Sequence, residues 1–262
     1  MALTIGFFGD SFCALENNEH SISNEYKTYI ERLKDHYNAD IVNLGMGGSS
    51  IWDLLLVQLD PLIKSNTVPD ICVFVWTHSG KIFHRTSRSL HPSSALKGFN
   101  KEKFDWFAKT YPNAGYNFFA KEVYEAAKEY YLHLHDNEKA DIEHVALLQY
   151  IDNNVLNRLP SKTKIVHLWA FGSNNFESPL GWHPDNITYP HTWKHGATIL
   201  PGMMSLSVSN HPWPKYPVLD NRPNHLEGDT KNEMVFQWIK YAIETNQSMD
   251  YTTDVVNMWT TE

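Results

Sequence analysis

The chain has 262 residues, of which 42% are hydrophobic and 20% charged; this fits one large packed domain or two small ones and excludes disorder. The formal net charge of -8 argues against a nucleic-acid surface, which needs clustered Lys and Arg. Only two cysteines are present, Cys13 and Cys72, which excludes a disulfide framework and makes a cytoplasmic setting the expectation.

In chain order, Leu3 to Phe8 reads as a buried strand rather than a signal segment, because no basic region or cleavage site accompanies it. Ser23 is read as the cap of a helix ending near His36, with Tyr26, Ile30 and Leu33 at helical spacing. Asp40 to Leu44 is a second strand, ending in the glycine-rich Gly45-Met46-Gly47-Gly48-Ser49-Ser50. Ile51 to Ser65 is an apolar helix that Pro61 should kink or split. Asp70 to Trp76 is a third strand, and its near-continuous β-branched and aromatic run suits burial on both faces of a parallel sheet.

Residues 79–113 read as a long loop or small insertion, and helices are predicted over 114–135 and 138–159. Lys164 to Ala170 is a fourth core strand. Residues 172–219 form a second irregular stretch, and loops of that length in a compact domain tend to carry function. The last helix opens at Glu227 or Gly228 and runs to about Glu244. No apolar run approaches the roughly 20 residues needed to span a bilayer. The alternation of elements predicts one α/β domain over residues 1–262: a three-layer α/β/α sandwich with a mostly parallel, flavodoxin-like sheet. Two long insertions, at about 79–113 and 172–219, elaborate it.

In such a sheet, ligands bind beyond the carboxyl ends of the strands. Ser11 follows the first strand, Gly45 to Ser50 the second, and Thr77-His78-Ser79 the third. Ser11 can be a helix cap or a nucleophile. A nucleophilic serine needs a base within hydrogen-bond reach and a group to orient that base. His225, in a turn-rich segment before the final helix, is the candidate base. Each also has a structural reading: the glycines as tight-turn formers, His225 as an ordinary helix-start residue, His78 as a packed loop histidine.

Gly9-Asp10-Ser11-Phe12 resembles the first block of the SGNH hydrolases, the GDSL esterases and lipases. Asn43-Leu44-Gly45-Met46-Gly47-Gly48-Ser49-Ser50 resembles their second block, and Asn224-His225-Leu226 before a C-terminal helix resembles the last. The resemblance implies Ser11 as nucleophile, His225 as base, and an oxyanion hole built from the N–H groups of Ser11 and Gly48. Two departures stand out. Val75-Trp76-Thr77-His78-Ser79 replaces the family's Gly-x-Asn-Asp, so either His78 or Thr77 supplies the third donor or the hole has only the Ser11 and Gly48 backbone donors. Arg222 stands where the family's Asp-x-x-His places its acid, which leaves Asp220 or a backbone carbonyl to orient His225. Trp76, Thr77 and Arg222 are the candidate substrate contacts, although Arg222 reads better as half of a surface ion pair.

The implied activity is hydrolysis of a carboxylic ester through an acyl-serine intermediate, with no cofactor. Substrates would be small-molecule or glycan esters, with acetyl esters on carbohydrate among them. The alternatives are an O-acyltransferase on the same scaffold and a non-catalytic carbohydrate-binding derivative. The Trp- and His-rich stretches, including Trp182 and Trp193, fit a sugar platform or simply pack a long loop. No Gly-x-Gly-x-x-Gly follows the first strand, and no phosphate loop is present. His183, His191 and His195 could gather around a metal, but no His-Glu-x-x-His or cysteine pair supports one. Cys13 is expected as a small core residue rather than a nucleophile.

Overall fold

The computed structural model describes residues 2–14, 27–83, 90, 95–96, 121–170, 191–200, 202–206, 226, 228–251 and 254. Among them, six strands form a sheet: β1 (Thr4–Gly9), β2 (Asp40–Asn43), β3 (Ile71–Trp76), β4 (Lys164–Trp169), β5 (Ala197–Leu200) and β6 (Met249–Asp250). Their order is β2-β1-β3-β4-β5-β6, and every pairing is parallel. The first five follow the flavodoxin-like order, in which the chain reverses direction across the sheet between β1 and β3. The expected α/β fold is therefore the one observed.

Successive side chains in β3 and β4 feed opposite layers, as the two-residue period of a strand requires. Val73, Val75, Val166 and Leu168 join Ile5 and Phe7 beneath helices α1 (Tyr29–Tyr37) and α5 (Gly228–Thr245). Cys72, Phe74, Trp76, Ile165 and Trp169 join Phe8 on the other face. There they meet helix α2, spanning residues 51–65, and helix α4 (Asn137–Tyr150). Helix α3 (Lys121–His133) packs Ala127 and Tyr131 into a third, smaller cluster with Leu90 and Ala95. Arg32 of α1 reaches Asp229 and Glu233 of α5, tying the two helices of one layer.

Several elements differ from the sequence expectation. Helix α1 begins at Tyr29, not at Ser23, which lies outside the described residues. Thr28 is its cap: extended backbone, a side chain accepting from Glu31 N, and Glu31 Oε2 accepting from Thr28 N at 2.8 Å. That reciprocal pair satisfies two otherwise orphaned donors. Helix α2 continues through Pro61 instead of splitting. An α-helical start (Ile51–Asp53) widens to π-helix (Leu54–Leu59), then tightens again (Asp60–Ser65). In the π stretch, Asp60 N–H bonds Leu55 O, five residues back. A proline ring clashes with the carbonyl four residues back in an ordinary α-helix, and the wider turn relieves that clash.

Residues 197–200, expected within an irregular insertion, form β5. Met203–Leu206 follows as a 3-10 turn. The strand was hidden because Ala-Thr-Ile-Leu is too short to show a period. The remaining described parts of the two predicted insertions include an antiparallel bridge between Ile82 and Leu90.

Candidate active site

Strand β1 delivers Asp10 and Ser11 to the crevice beside β3. Gly9 makes the exit possible. Its φ of +147° is unfavourable for other residues, and a Cβ there would sit 2.3 Å from Val75 O of the neighbouring strand. The turn that follows is closed by Cys13 N–H and Ala14 N–H, both donating to Asp10 O at 3.1 Å. Asp10 is buried, and its Oδ1 accepts from Phe12 N at 3.1 Å. Ser11 is half-buried at the head of this turn.

The glycine loop after β2 is bound to the same turn. Asn43 Nδ2 donates to Cys13 O (2.6 Å), while Asn43 Oδ1 accepts from Gly45 N (2.9 Å). Met46 N donates to Gly9 O at 3.1 Å. Gly48 has φ +78°, so this turn needs glycine there. Ser50 then caps α2 through a reciprocal pair with Asp53.

Gln58 locks the two loops together, and its role was not foreseen. Its Oε1 accepts from Gly9 N at 2.7 Å, and its Nε2 donates to Gly9 O at 2.9 Å and to Ser49 Oγ at 3.3 Å. A lone amide inside the apolar run Leu54–Leu59 was the available signal, since a buried amide must find partners.

The third loop brings Thr77, His78 and, unexpectedly, Lys81. Thr77 is buried, and its Oγ1 accepts from Lys81 Nζ at 2.6 Å. Lys81 Nζ also donates to Ser49 O at 2.8 Å and lies 3.8 Å from Asp10 Oδ2. Its side chain is only 6% exposed, so a buried cation joins all three loops. Burial pulls the ammonium below its ordinary range, against Asp10 and Asp53, which favour the charged form. His78 is half-buried, and its Nδ1 bonds Ser79 O.

Trp76, expected at the substrate, is fully buried. Its Nε1 donates to His167 Nδ1 at 2.9 Å, and its ring stacks on Phe74 and Trp193. It serves the core because residue 76 of β3 points into the sheet face, not out of the strand end. Trp193 is likewise buried, stacked 4.3 Å from both Trp76 and His167, so it offers no open face to a sugar ring. Trp182, Asp220, Arg222 and His225 lie outside the described residues.

The neighbour of His225, Leu226, is described. It is buried in the same layer as Phe12, the neighbour of Ser11. Leu226 O accepts from Asn232 Nδ2 (2.9 Å), Asn232 Oδ1 accepts from Tyr29 N (3.0 Å), and Tyr29 OH donates to Phe12 O (2.7 Å). Asn232 and Tyr29 thus bridge the two segments, Tyr29 through its backbone N–H on one side and its phenol on the other.

Of the three histidines considered for a metal, His183 lies outside the described residues, and His191 and His195 converge on one carboxylate. Both bond Asp152, His191 Nε2 to Oδ2 at 2.9 Å and His195 Nδ1 to Oδ1 at 2.8 Å. Burial raises the Asp152 carboxyl, but those bonds and Lys194 N–H outweigh it and hold it below its ordinary range. Among the described residues no group of His, Cys, Asp and Glu is arranged to hold a metal ion. None of the described helices is long and apolar enough to cross a membrane. Cys13 is fully buried; burial and then Asp10 push its thiol well above the usual range, so it stays protonated and unreactive.

No protein-family model and no curated protein matches the chain. Solved structures do. The acetyl xylan esterase AlAXEase is 12% identical, with 97% of this chain and 80% of that one covered, at a TM-score of 0.32. A protein described as a GDSL-like lipase, from Parabacteroides merdae ATCC 43184, is 15% identical, with coverages of 99% and 94% and a TM-score of 0.30.

Proposed function

We propose that the chain is a serine hydrolase of carboxylic esters, with Ser11 as nucleophile and His225 as base. The observation that carries this reading is the bridge from Leu226 through Asn232 and Tyr29 to Phe12. It ties the residue after His225 to the residue after Ser11, two positions 214 apart in sequence.

In this reading Ser11 Oγ attacks the ester carbonyl carbon while His225 takes the hydroxyl proton. The oxyanion forms against the N–H groups of Ser11 and Gly48. Collapse breaks the bond to the alkoxy oxygen, which leaves as the alcohol with the proton from His225. Water then attacks the acyl-serine, again with His225 as base, and releases the acid. Asp220 orients the imidazole, and Arg222 faces the substrate.

Lys81 bears on the missing family asparagine. Its ammonium adjoins Asp10 and bonds Thr77, so positive charge stands near the crevice in place of an amide donor. His78 fills the third-donor role through Nε2 only as an imidazolium, since Nδ1 gives its proton to Ser79 O. Acetyl esters on carbohydrate are the finer substrate reading.

The test is p-nitrophenyl acetate hydrolysis by wild type, Ser11→Ala and His225→Ala, with folding followed by circular dichroism. Loss of activity in both folded variants supports the assignment. Undiminished activity in Ser11→Ala overturns it, as does a wild type that neither turns over esters nor takes a fluorophosphonate label at Ser11. Product analysis with a sugar acceptor separates hydrolysis from acyl transfer.

A further inference from the structure

Next to the third loop lies a cavity of about 630 Å³, between α2, the Ile82–Leu90 bridge and helices α3 and α4. That is within the range of about 300–1,000 Å³ typical of small-molecule sites. Ile51, Ile82, Leu90, Ala127 and Leu147 give it an apolar lining. His144 of α4 also lines it. Its side chain is buried, and neither Nδ1 nor Nε2 has a hydrogen-bond partner among the described residues. Buried polar atoms in native proteins are nearly always paired, so an orphaned imidazole on a cavity wall points to a ligand that completes it.

The surroundings restrict that ligand. Glu122 and Glu143 line the cavity with exposed carboxylates and repel an anion, while the Lys81 ammonium on the same lining is already engaged by Ser49 O, Thr77 Oγ1 and Asp10. Burial holds the imidazole down at about 4, with Lys81 adding to the effect and Asp141 opposing it, so His144 is neutral at pH 7. A neutral imidazole offers one donor and one acceptor and no charge. A pure hydrocarbon would leave both ring nitrogens unpaired. A hydroxyl can donate to one ring nitrogen or accept from the other.

We propose that this cavity binds an uncharged aryl or alkyl alcohol, with its hydroxyl on His144 and its apolar body against Ile51, Ile82, Leu90 and Leu147. The proposal does not rest on Ser11 being a nucleophile. Lys81 lines the cavity and also bonds Thr77, so the two sites abut. Where the esterase reading holds as well, the cavity is the place for the alcohol half of the ester.

Isothermal titration of the full chain with 4-butylphenol, 4-butylanisole and 4-butylbenzoate tests it. The phenol should bind one to one, about tenfold tighter than the anisole, which cannot donate. The charged benzoate should bind more weakly still. In His144→Phe the preference for phenol over anisole should vanish. Ala140→Trp, placed on the half-buried part of the lining, should abolish binding of all three. In 15N-histidine-labelled wild type, the phenol should shift the His144 ring resonances, a readout that needs no variant to fold. Absence of saturable phenol binding, or an unchanged preference in folded His144→Phe, overturns the proposal. Ser11→Ala should bind the phenol as wild type does. Binding without ester turnover therefore upholds the cavity and counts against the hydrolase alone.

Discussion

The Tyr29 hydroxyl donates to Phe12 O across 2.7 Å, and both side chains are fully buried. Tyr29 sits in the first turn of α1, yet its bond fixes a carbonyl in the turn after β1. Burial raises the phenol well above its usual range, so it remains a donor at any working pH. Tyr29→Phe leaves Phe12 O without this donor, at a cost of about 1–3 kcal/mol. In the hydrolase reading the Ser11 turn also loosens. The expected outcome is a lower kcat for p-nitrophenyl acetate with KM little changed, beside a modest drop in denaturation midpoint. The same drop in denaturation midpoint with kcat unchanged would separate Tyr29 from the site.

Gln58 holds both backbone groups of Gly9, and nothing of similar shape replaces it. Gln58→Leu strands the Gly9 N–H inside the protein and leaves Gly9 O with Met46 N alone. A loss of about 2 kcal/mol in urea denaturation is expected. Gln58→Glu keeps an acceptor for the N–H but not a donor for the carbonyl while ionised. It should be worse at neutral pH than at mildly acidic pH, where a protonated carboxyl can donate. A Gln58→Glu variant with no pH dependence relative to wild type would contradict this.

Acid should weaken the fold through two buried histidines. His167 accepts from Trp76 Nε1 at Nδ1 and meets His195 O at Nε2, so its proton sits on Nε2. A second proton would set a donor against the indole N–H. Burial holds His167 near 3, against the bond to His195 O and the nearby Asp152, which favour the charged form, while burial holds His144 near 4. Unfolded, both return toward the ordinary 6.5. The unfolded chain then binds more protons below about pH 6.5, so stability is complete above that value and falls as pH drops toward 4 and then 3. Thermal midpoints measured from pH 7 to 4 should decline, and His144→Phe should flatten part of the slope. Parallel slopes in the two proteins would count against a neutral buried His144.

The sheet was legible because β1, β3 and β4 are apolar runs bounded by turn residues. Strands β5 and β6 were not, being four and two residues long, and they gain their identity only by pairing with β4 and with each other. The start of α1 was misplaced although Thr28-x-x-Glu31 is a capping box in plain sight; Ser23 and Tyr26 extended the helical spacing and competed with it. Ser11 and the glycine loop stood out as candidates because their sequence pattern is local. Lys81 and His144 did not. Nothing in the residues beside them says that one is buried against Asp10 or that the other faces a cavity; only the packing of distant elements decides that.

Lys81 is the sharpest test of how the three loops work together. Removing it as Lys81→Met takes a buried cation from beside buried Asp10 and strips donors from Ser49 O and Thr77 Oγ1. Breaking such a buried pair costs about 3–5 kcal/mol, much of it from the charge left behind. Asp10→Asn removes that charge. If the two act as a pair, the double variant Asp10→Asn/Lys81→Met should be destabilised by less than the sum of the single variants, with a coupling of about 1 kcal/mol or more. Chemical denaturation of all four proteins measures this. Additive losses would mean that Lys81 acts only as a strut between Ser49 and Thr77. In that case Lys81→Met should disturb the third loop while leaving the Ser11 turn, and any ester hydrolysis it supports, near wild type.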